Sequence, residues 1–502
     1  MKKTPKSQKS LDYPPILWHN IKHDLNGWEV DRINKRYRNL FRNTVIFGIG
    51  IFGSKLLVFF LLPLYTAYLT PEMFSAADLI SQLSNLLIPL ACLGITDGVF
   101  RFAMDREQDR REVFTTGFTV LLVGSLLFAL LSPLLCLSDA FRDYAWLIVC
   151  YVLAADFHSL CAQYLRAQGK TALFAVQGII NTALTILLNI IFLIPLRMGV
   201  LGYILSVVVA DTLMTLFLFL YARLYRDLRP AYFRRATARA MLAYSIPMIP
   251  TTVFWWITSV SDRYLVDHFS GATINGLYSA AYKIPTLLTL LCTVFIEAWQ
   301  LSAVRDSEAK EERIRFFSEV FLGFQGLMFL ACSGLIAFAQ IGTNILFADS
   351  YAEAWVYIPV LLIATVYSSL VTYFGSVYFV AKKSVLSFLT AMLGAVTNIV
   401  LNLLLIPTYG AQGAALATLV SYWAVYLLRA VNTRRHLPFR QYPIRVAVNT
   451  LLVGAQAVAM ILRMSGWIWI QVGAILLIFA INVRPMIVIV LRRLRGRRRT
   501  EG

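Results

Sequence analysis

The stretch from Tyr164 to Ser206, YLRAQGKTALFAVQGIINTALTILLNIIFLIPLRMGVLGYILS, returns in altered form from Tyr378 to Thr418 as YFVAKKSVLSFLTAMLGAVTNIVLNLLLIPTYGAQGAALAT. Lys170 aligns with Lys383, Asn189 with Asn402, Pro195 with Pro407, Gly199 with Gly410 and Gly202 with Gly413, and the offset drifts only from 213 to 211. Each copy is an apolar helix, a turn and a second apolar helix, in which proline ends the first helix and the glycines let the second start and pack closely. A fainter echo sets Ser75-Ala76-Ala77 against Ser279-Ala280-Ala281 at an offset of 204.

Outward from this repeat, the chain reads as fourteen apolar stretches near 45–68, 79–100, 113–136, 144–165, 172–194, 200–222, 241–266, 277–301, 316–340, 353–380, 385–406, 412–428, 446–462 and 467–490. Each is about long enough to cross a hydrocarbon core of about 30 Å, which takes roughly 20 helical residues. Lys and Arg number 23 in the loops after even-numbered spans and three (Arg142, Arg197, Arg463) after odd-numbered ones. Positive charge stays on the cytoplasmic side, so both termini are expected there, as an even span count also requires. Because six is even, spans 1–6 and 7–12 read as two copies of a six-helix lobe inserted the same way, with spans 13 and 14 added. Parallel repeats of this kind build transporters with a central site between the repeats. The expected division is a basic tail at 1–42, an N-lobe at 43–228, a C-lobe at 229–435, spans 13–14 within 436–491 and a basic tail at 492–502.

Composition agrees with a membrane domain: 58% of residues are hydrophobic and only 15% charged, against about 25% charged in soluble proteins. The net charge of +19 sits largely at the ends, with ten of the 46 basic residues in the first 42 positions and seven in the last 19. That distribution fits anionic lipid headgroups better than nucleic acid. Residues 1–42 lack the short apolar core of a secretory leader. The six cysteines have no spacing suited to zinc or redox chemistry, and no metal site is expected.

An ionisable side chain at mid-bilayer must face protein or a wet cavity, so the charges inside the spans are the candidate functional residues. Lys55 lies roughly 16 Å into span 1, at 1.5 Å per residue. The 204 offset places Phe59, four residues on, opposite Arg263, so Lys55 and Arg263 fall on equivalent faces of spans 1 and 7. Lys283 begins span 8. All three are candidate cations of a central cavity, although Arg263 has an alternative local role through Asp262 or Asp267. Asp156, Asp211 and Glu297 are candidates for pairing with these cations or for coupling to a proton or sodium gradient; no other cofactor is expected. Trp255 and Trp256 are candidates for a sugar or lipid platform, with ordinary packing as the alternative.

GSKLLVFFLLPLYTAYLTPEMFSAADL, LGITDGVFRF and NIVLNLLLIPTYGAQGAALAT, within a likeness from about residue 43 to 435, resemble bacterial polysaccharide flippases of the multidrug/oligosaccharidyl-lipid/polysaccharide exporter superfamily. The resemblance implies an all-α, V-shaped, two-lobed transporter in the bacterial cytoplasmic membrane. It also implies flipping of polyprenyl-pyrophosphate-linked oligosaccharides from inner to outer leaflet by alternating access, alongside other polysaccharide-assembly proteins. Spans 1 and 2 lack the dense arginines of the related peptidoglycan-precursor flippases, which weighs against lipid II. A multidrug/cation antiporter is the alternative within the superfamily, and a membrane polymerase or glycosyltransferase the alternative outside it. The longest outer loop, 341–352, is short for such an enzyme, and no paired-carboxylate or nucleophile constellation appears.

Overall fold

The computed structural model describes residues 59–105, 107–303, 310–381 and 383–500. Its helices are α1 (Leu62–Tyr68), α2 (Pro71–Ala91), α3 (Ile95–Ala103), α4 (Arg110–Leu131), α5 (Ala145–Ala167), α6 (Thr171–Leu193), α7 (Gly199–Tyr221) and α8 (Arg235–Ser245). They continue as α9 (Ile249–Ser270), α10 (Ala272–Ala281), α11 (Pro285–Ala303), α12 (Lys310–Leu346), α13 (Ile358–Val380), α14 (Ser384–Thr433), α15 (Pro443–Ile461) and α16 (Trp467–Thr500). No strand occurs among the described residues. Eleven of the described helical segments are long and apolar enough to span a membrane, and Trp467–Val483 adds a shorter apolar one.

The repeated turns are built alike. Gly199 and Gly410 both take positive φ, +54° and +56°, a conformation that costs glycine no Cβ clash. The second turn folds α14 at Gly410 into two antiparallel helices, spans 11 and 12. Span 2 begins at Pro71 rather than near 79: Thr70 caps the helix by accepting a hydrogen bond from the Met73 N–H, and Pro71 supplies the first-turn φ. The same span breaks at Leu93 and Gly94, both at positive φ, before α3.

Two small hydrophobic clusters occupy the N-terminal half, and one large cluster fills the C-terminal half and takes in Leu61, Leu62, Tyr65, Leu69, Phe74 and Leu193 of the other. Span 10 is the buried axis of that larger core, with 78% of its most apolar window buried against 17% for span 3; the outward leucines of span 3, such as Leu126 and Leu130, are exposed. Spans 13 and 14 are built into the large cluster through Val446, Val453, Met460 and Ile478. They are joined to each other by reciprocal amide hydrogen bonds between Asn449 and Asn482 (3.1 and 3.0 Å). The segment 229–245, expected with the C-lobe, instead packs on the N-terminal half. Met241 joins the Val99–Phe114 cluster, Thr237 donates to Glu112, and the Arg234 N–H donates to the Thr116 hydroxyl. The reason is amphipathicity: α8 buries Thr237, Ala238 and Met241 and leaves Arg235 and Arg239 exposed. The packing boundary between the halves therefore follows Ser245, not residue 228.

Candidate functional site

The two halves meet along one seam, where α2 runs antiparallel to α9. Its contacts step in register from one end of α2 toward the other. Ser75 Oγ donates to Asp267 (2.9 Å), the Tyr264 hydroxyl to Leu79 O (2.8 Å), and Trp256 Nε1 to Gln82 O (3.0 Å). At the end away from the basic loops the approach is closest: a Cβ on Gly276 of α10 would fall 1.9 Å from the Pro71 carbonyl oxygen. There the 66–69 turn is also held from the C-terminal half, by Ala348 N–H to Thr66 Oγ1 (3.1 Å) and by the Tyr351 hydroxyl to Leu69 O (2.9 Å). The neutral side is closed.

Asp78 lies in the middle of this closed half. Its side chain is 2% exposed; Oδ2 accepts from Arg263 Nη1 at 2.6 Å and Oδ1 from Lys283 Nζ at 3.1 Å. The guanidinium of Arg263 lies 4.4 Å from the Tyr282 ring centre, and the Lys283 ammonium 5.5 Å from that of Phe74. Asp262 does not form the local ion pair considered for Arg263. Its Oδ1 accepts the Arg263 backbone N–H (2.9 Å), and its Oδ2 accepts from Tyr278 (2.8 Å), Tyr282 (2.8 Å) and Thr418 (3.2 Å). Asp267 is likewise taken, by Ser75. Two carboxylates and two cations thus share one buried cluster, in which Arg263 Nε is left without a hydrogen-bond partner. A buried charge is tolerated when it is paired and hydrogen-bonded, and here the pairing crosses between the halves.

Of the cations expected in the cavity, Arg263 and Lys283 therefore come together, but on a carboxylate. Lys55 lies outside the described residues. Lys283 keeps 27% of its side chain exposed against 8% for Arg263, so it is the one that open space reaches. Asp156 and Asp211 do not pair with them. Asp211 accepts from Asn181 Nδ2 (2.7 Å) and faces His158 Nδ1 (3.0 Å), whose Nε2 lies 2.7 Å from Gln177 Oε1; both ring nitrogens face oxygens, an arrangement complete when the imidazole carries two protons. Asp156 is fully buried, with the Cys92 thiol as its polar neighbour. Glu297 falls on α11, and its side chain lies outside the described ones. Trp256 is consumed by its bond across the seam, and Trp255 packs face to face with Tyr422 (6.5 Å) and under the Arg429 guanidinium (5.2 Å).

The residue missed from sequence is Asp78. It stands beside the echoed Ser75-Ala76-Ala77, and Thr70-Pro71-Glu72 spells a helix start that places it two turns inside the span.

Known proteins resemble this chain at three levels. "Probable flippase AglR" of Haloferax volcanii is 29% identical over 210 residues, which are 40% of this chain and 43% of that protein. "Uncharacterized membrane protein MJ1375" of Methanocaldococcus jannaschii is 27% identical over 197 residues, 38% of this chain and 44% of the relative. These alignments therefore span less than half the length of either relative. Among solved structures, the lipid II flippase MurJ in an inward closed conformation superposes with a TM-score of 0.66 at 16% identity, covering 90% of this chain and 99% of MurJ. An inward-facing MATE multidrug transporter gives 0.60 at 13% identity, covering 76% and 95%. The shared fold is the V-shaped fold of that superfamily. Residues 40–299, just over half of the chain, match the family described as "Polysaccharide biosynthesis protein", and the chain belongs to that family.

Proposed function

We propose that the protein flips polyprenyl-pyrophosphate-linked oligosaccharides from the inner to the outer leaflet of a bacterial cytoplasmic membrane by alternating access, for cell-surface polysaccharide synthesis. One observation carries this reading: two cations of the C-terminal half, Arg263 and Lys283, meet on one carboxylate of the N-terminal half at a seam that closes one side of the membrane domain. A pyrophosphate is a concentrated anion that cannot enter hydrocarbon unaided, and it offers the same cations more acceptor oxygens than Asp78 does. With the basic loops facing the cytoplasm, the closed side is the outer one, and the cleft is poised to receive substrate from the inner leaflet. A proton or sodium gradient would drive the cycle, with the buried Asp211–His158 pair as the leading candidate for coupling.

The name of the Haloferax relative supports flipping; the likenesses to MurJ and to MATE transporters extend to the fold. A cationic drug would be repelled by the lysine that the cleft exposes. The deciding experiment is reconstitution in liposomes with a polyprenyl-pyrophosphate oligosaccharide, reading the fraction of headgroup that becomes accessible on the far leaflet. Wild-type protein should accelerate exposure and Lys283→Ala should not, at equal protein content. Equal rates for protein-free and protein-containing vesicles would overturn the proposal.

A further inference from the structure

A cavity of about 680 Å³ lies away from the seam, where the loop between spans 12 and 13 meets span 14. Its lining includes Arg434, Arg440 and Arg445, and no carboxylate. The three guanidiniums are held by neutral groups: Arg434 Nε donates to Gln441 Oε1 at 3.2 Å, and Arg440 and Arg445 lie 5.1 and 5.9 Å from the centre of one ring, Tyr442. Arg445 Nη1 is buried without a hydrogen-bond partner. No ion pair to these arginines occurs among the described residues, and the charge sits at the N-terminus of the 19-residue helix α15, whose dipole adds to it.

The site is rigidly built. Gln441 Nε2 donates to Ala430 O (2.8 Å), the Arg440 N–H donates to the Ser318 hydroxyl (2.8 Å), and Phe439 is buried among Phe317, Phe321 and Phe374. Tyr442 is held at φ +45°, a strained conformation for a non-glycine residue that persists where surrounding structure enforces it. From the arginines, Ile444, Val448 and Leu451 form a continuous rail along α15, 80%, 38% and 72% exposed, on the face spacing of a helix. Charge at the level of the basic loops with an apolar rail running into the membrane matches a lipid, headgroup and chain together, better than a free anion.

We propose that this cavity binds the phosphate headgroup of an anionic phospholipid in the leaflet bordering the basic side, with an acyl chain along Ile444–Leu451. The site is separate from the seam and does not depend on what the protein transports. The test is native mass spectrometry of the full-length protein in detergent, titrated with phosphatidylglycerol or with phosphatidylcholine. Each guanidinium near a headgroup is worth about fivefold in affinity, so Arg440→Gln with Arg445→Gln should weaken phosphatidylglycerol binding by about 30-fold. Removing as much charge from α8, by Arg235→Gln with Arg239→Gln, should change it by less than about threefold. Ile481→Trp, which fills the cavity without altering charge, should also abolish the preference for phosphatidylglycerol and guards against misfolding of the arginine variant. Equal loss from the two charge variants, or undiminished binding by Ile481→Trp, overturns the site. Inorganic pyrophosphate that binds alone as tightly as phosphatidylglycerol, through the same arginines, overturns the assignment to a lipid.

Discussion

Replacing Asp78 with Asn should open the neutral side of the protein. The carboxylate is buried and holds Arg263 at 2.6 Å and Lys283 at 3.1 Å across the seam. Removing one partner of a buried ion pair costs about 3–5 kcal/mol, because the other charge stays buried and unpaired. Lys283 is partly hydrated already, so its share is screened, and the low end, about 3 kcal/mol, is the appropriate figure. The cost falls on the closed state alone, since separation of the halves returns both cations to water. Three kcal/mol is about 150-fold in a two-state equilibrium, so a population about 90% closed would fall to about 6%. Nitroxides at Tyr68 and Phe269, both exposed near the neutral end, would report this by double electron–electron resonance in nanodiscs, after the exposed Cys136 and Cys150 are replaced. Adding Arg263→Met should restore closure in part, because it removes the buried charge that Asp78→Asn leaves unpaired. An unchanged distance distribution in Asp78→Asn, or a double variant as open as the single one, refutes the latch.

Gly276→Ala tests the same closure by shape alone: its Cβ would fall 1.9 Å from the Pro71 carbonyl oxygen, so the long-distance population should grow in the same resonance measurement with no charge altered. Gly454→Ala, with open space around it, should leave both distances and stability unchanged. In the amide pair between spans 13 and 14, Asn482→Leu strands Asn449 and should cost about 1–3 kcal/mol, whereas Asn449→Leu with Asn482→Leu should come close to wild type; thermal melting in detergent reads the difference. Asp211→Asn removes the carboxylate facing His158, and transport should lose its acceleration by an imposed ion gradient while unenergised exchange persists; an unaltered gradient response rules out coupling at this pair.

Much of the architecture is legible in the sequence because a bilayer leaves few options: apolar length marks the helices, and the Pro-Gly turns recur with the same positive φ at Gly199 and Gly410. The seam is not legible in that way. Asp78 and Arg263 are 185 residues apart, and the pairing becomes visible only once α2 and α9 lie antiparallel. Placing the start of span 2 near residue 79 also hid Asp78, because hydropathy weighs Glu72 and Asp78 against a membrane segment while Thr70 and Pro71 start the helix there. The boundary at Ser245 escaped for a related reason. The four arginines of 229–245 read as a loop, and only the packing of Thr237 and Met241 shows that this segment belongs to the preceding half.

The charge balance of the seam connects closure with the proposed cargo. Asp78, Asp262, Arg263 and Lys283 sum to zero, and the two carboxylates, one on each half, already take strong donors from the C-terminal half. A pyrophosphate entering this cluster must draw at least Lys283 away from Asp78, since the anion and the carboxylate compete for the same ammonium. Asp78 then keeps only Arg263, and the latch weakens as the substrate binds. Substrate captured from the inner leaflet thus favours opening of the outer side, a coupling carried by Lys283. On this reasoning a polyprenyl-pyrophosphate oligosaccharide should lengthen the Tyr68–Phe269 distance in the wild type and leave it unchanged in Lys283→Ala. Equal lengthening in both proteins would mean that the lysine does not link binding to opening.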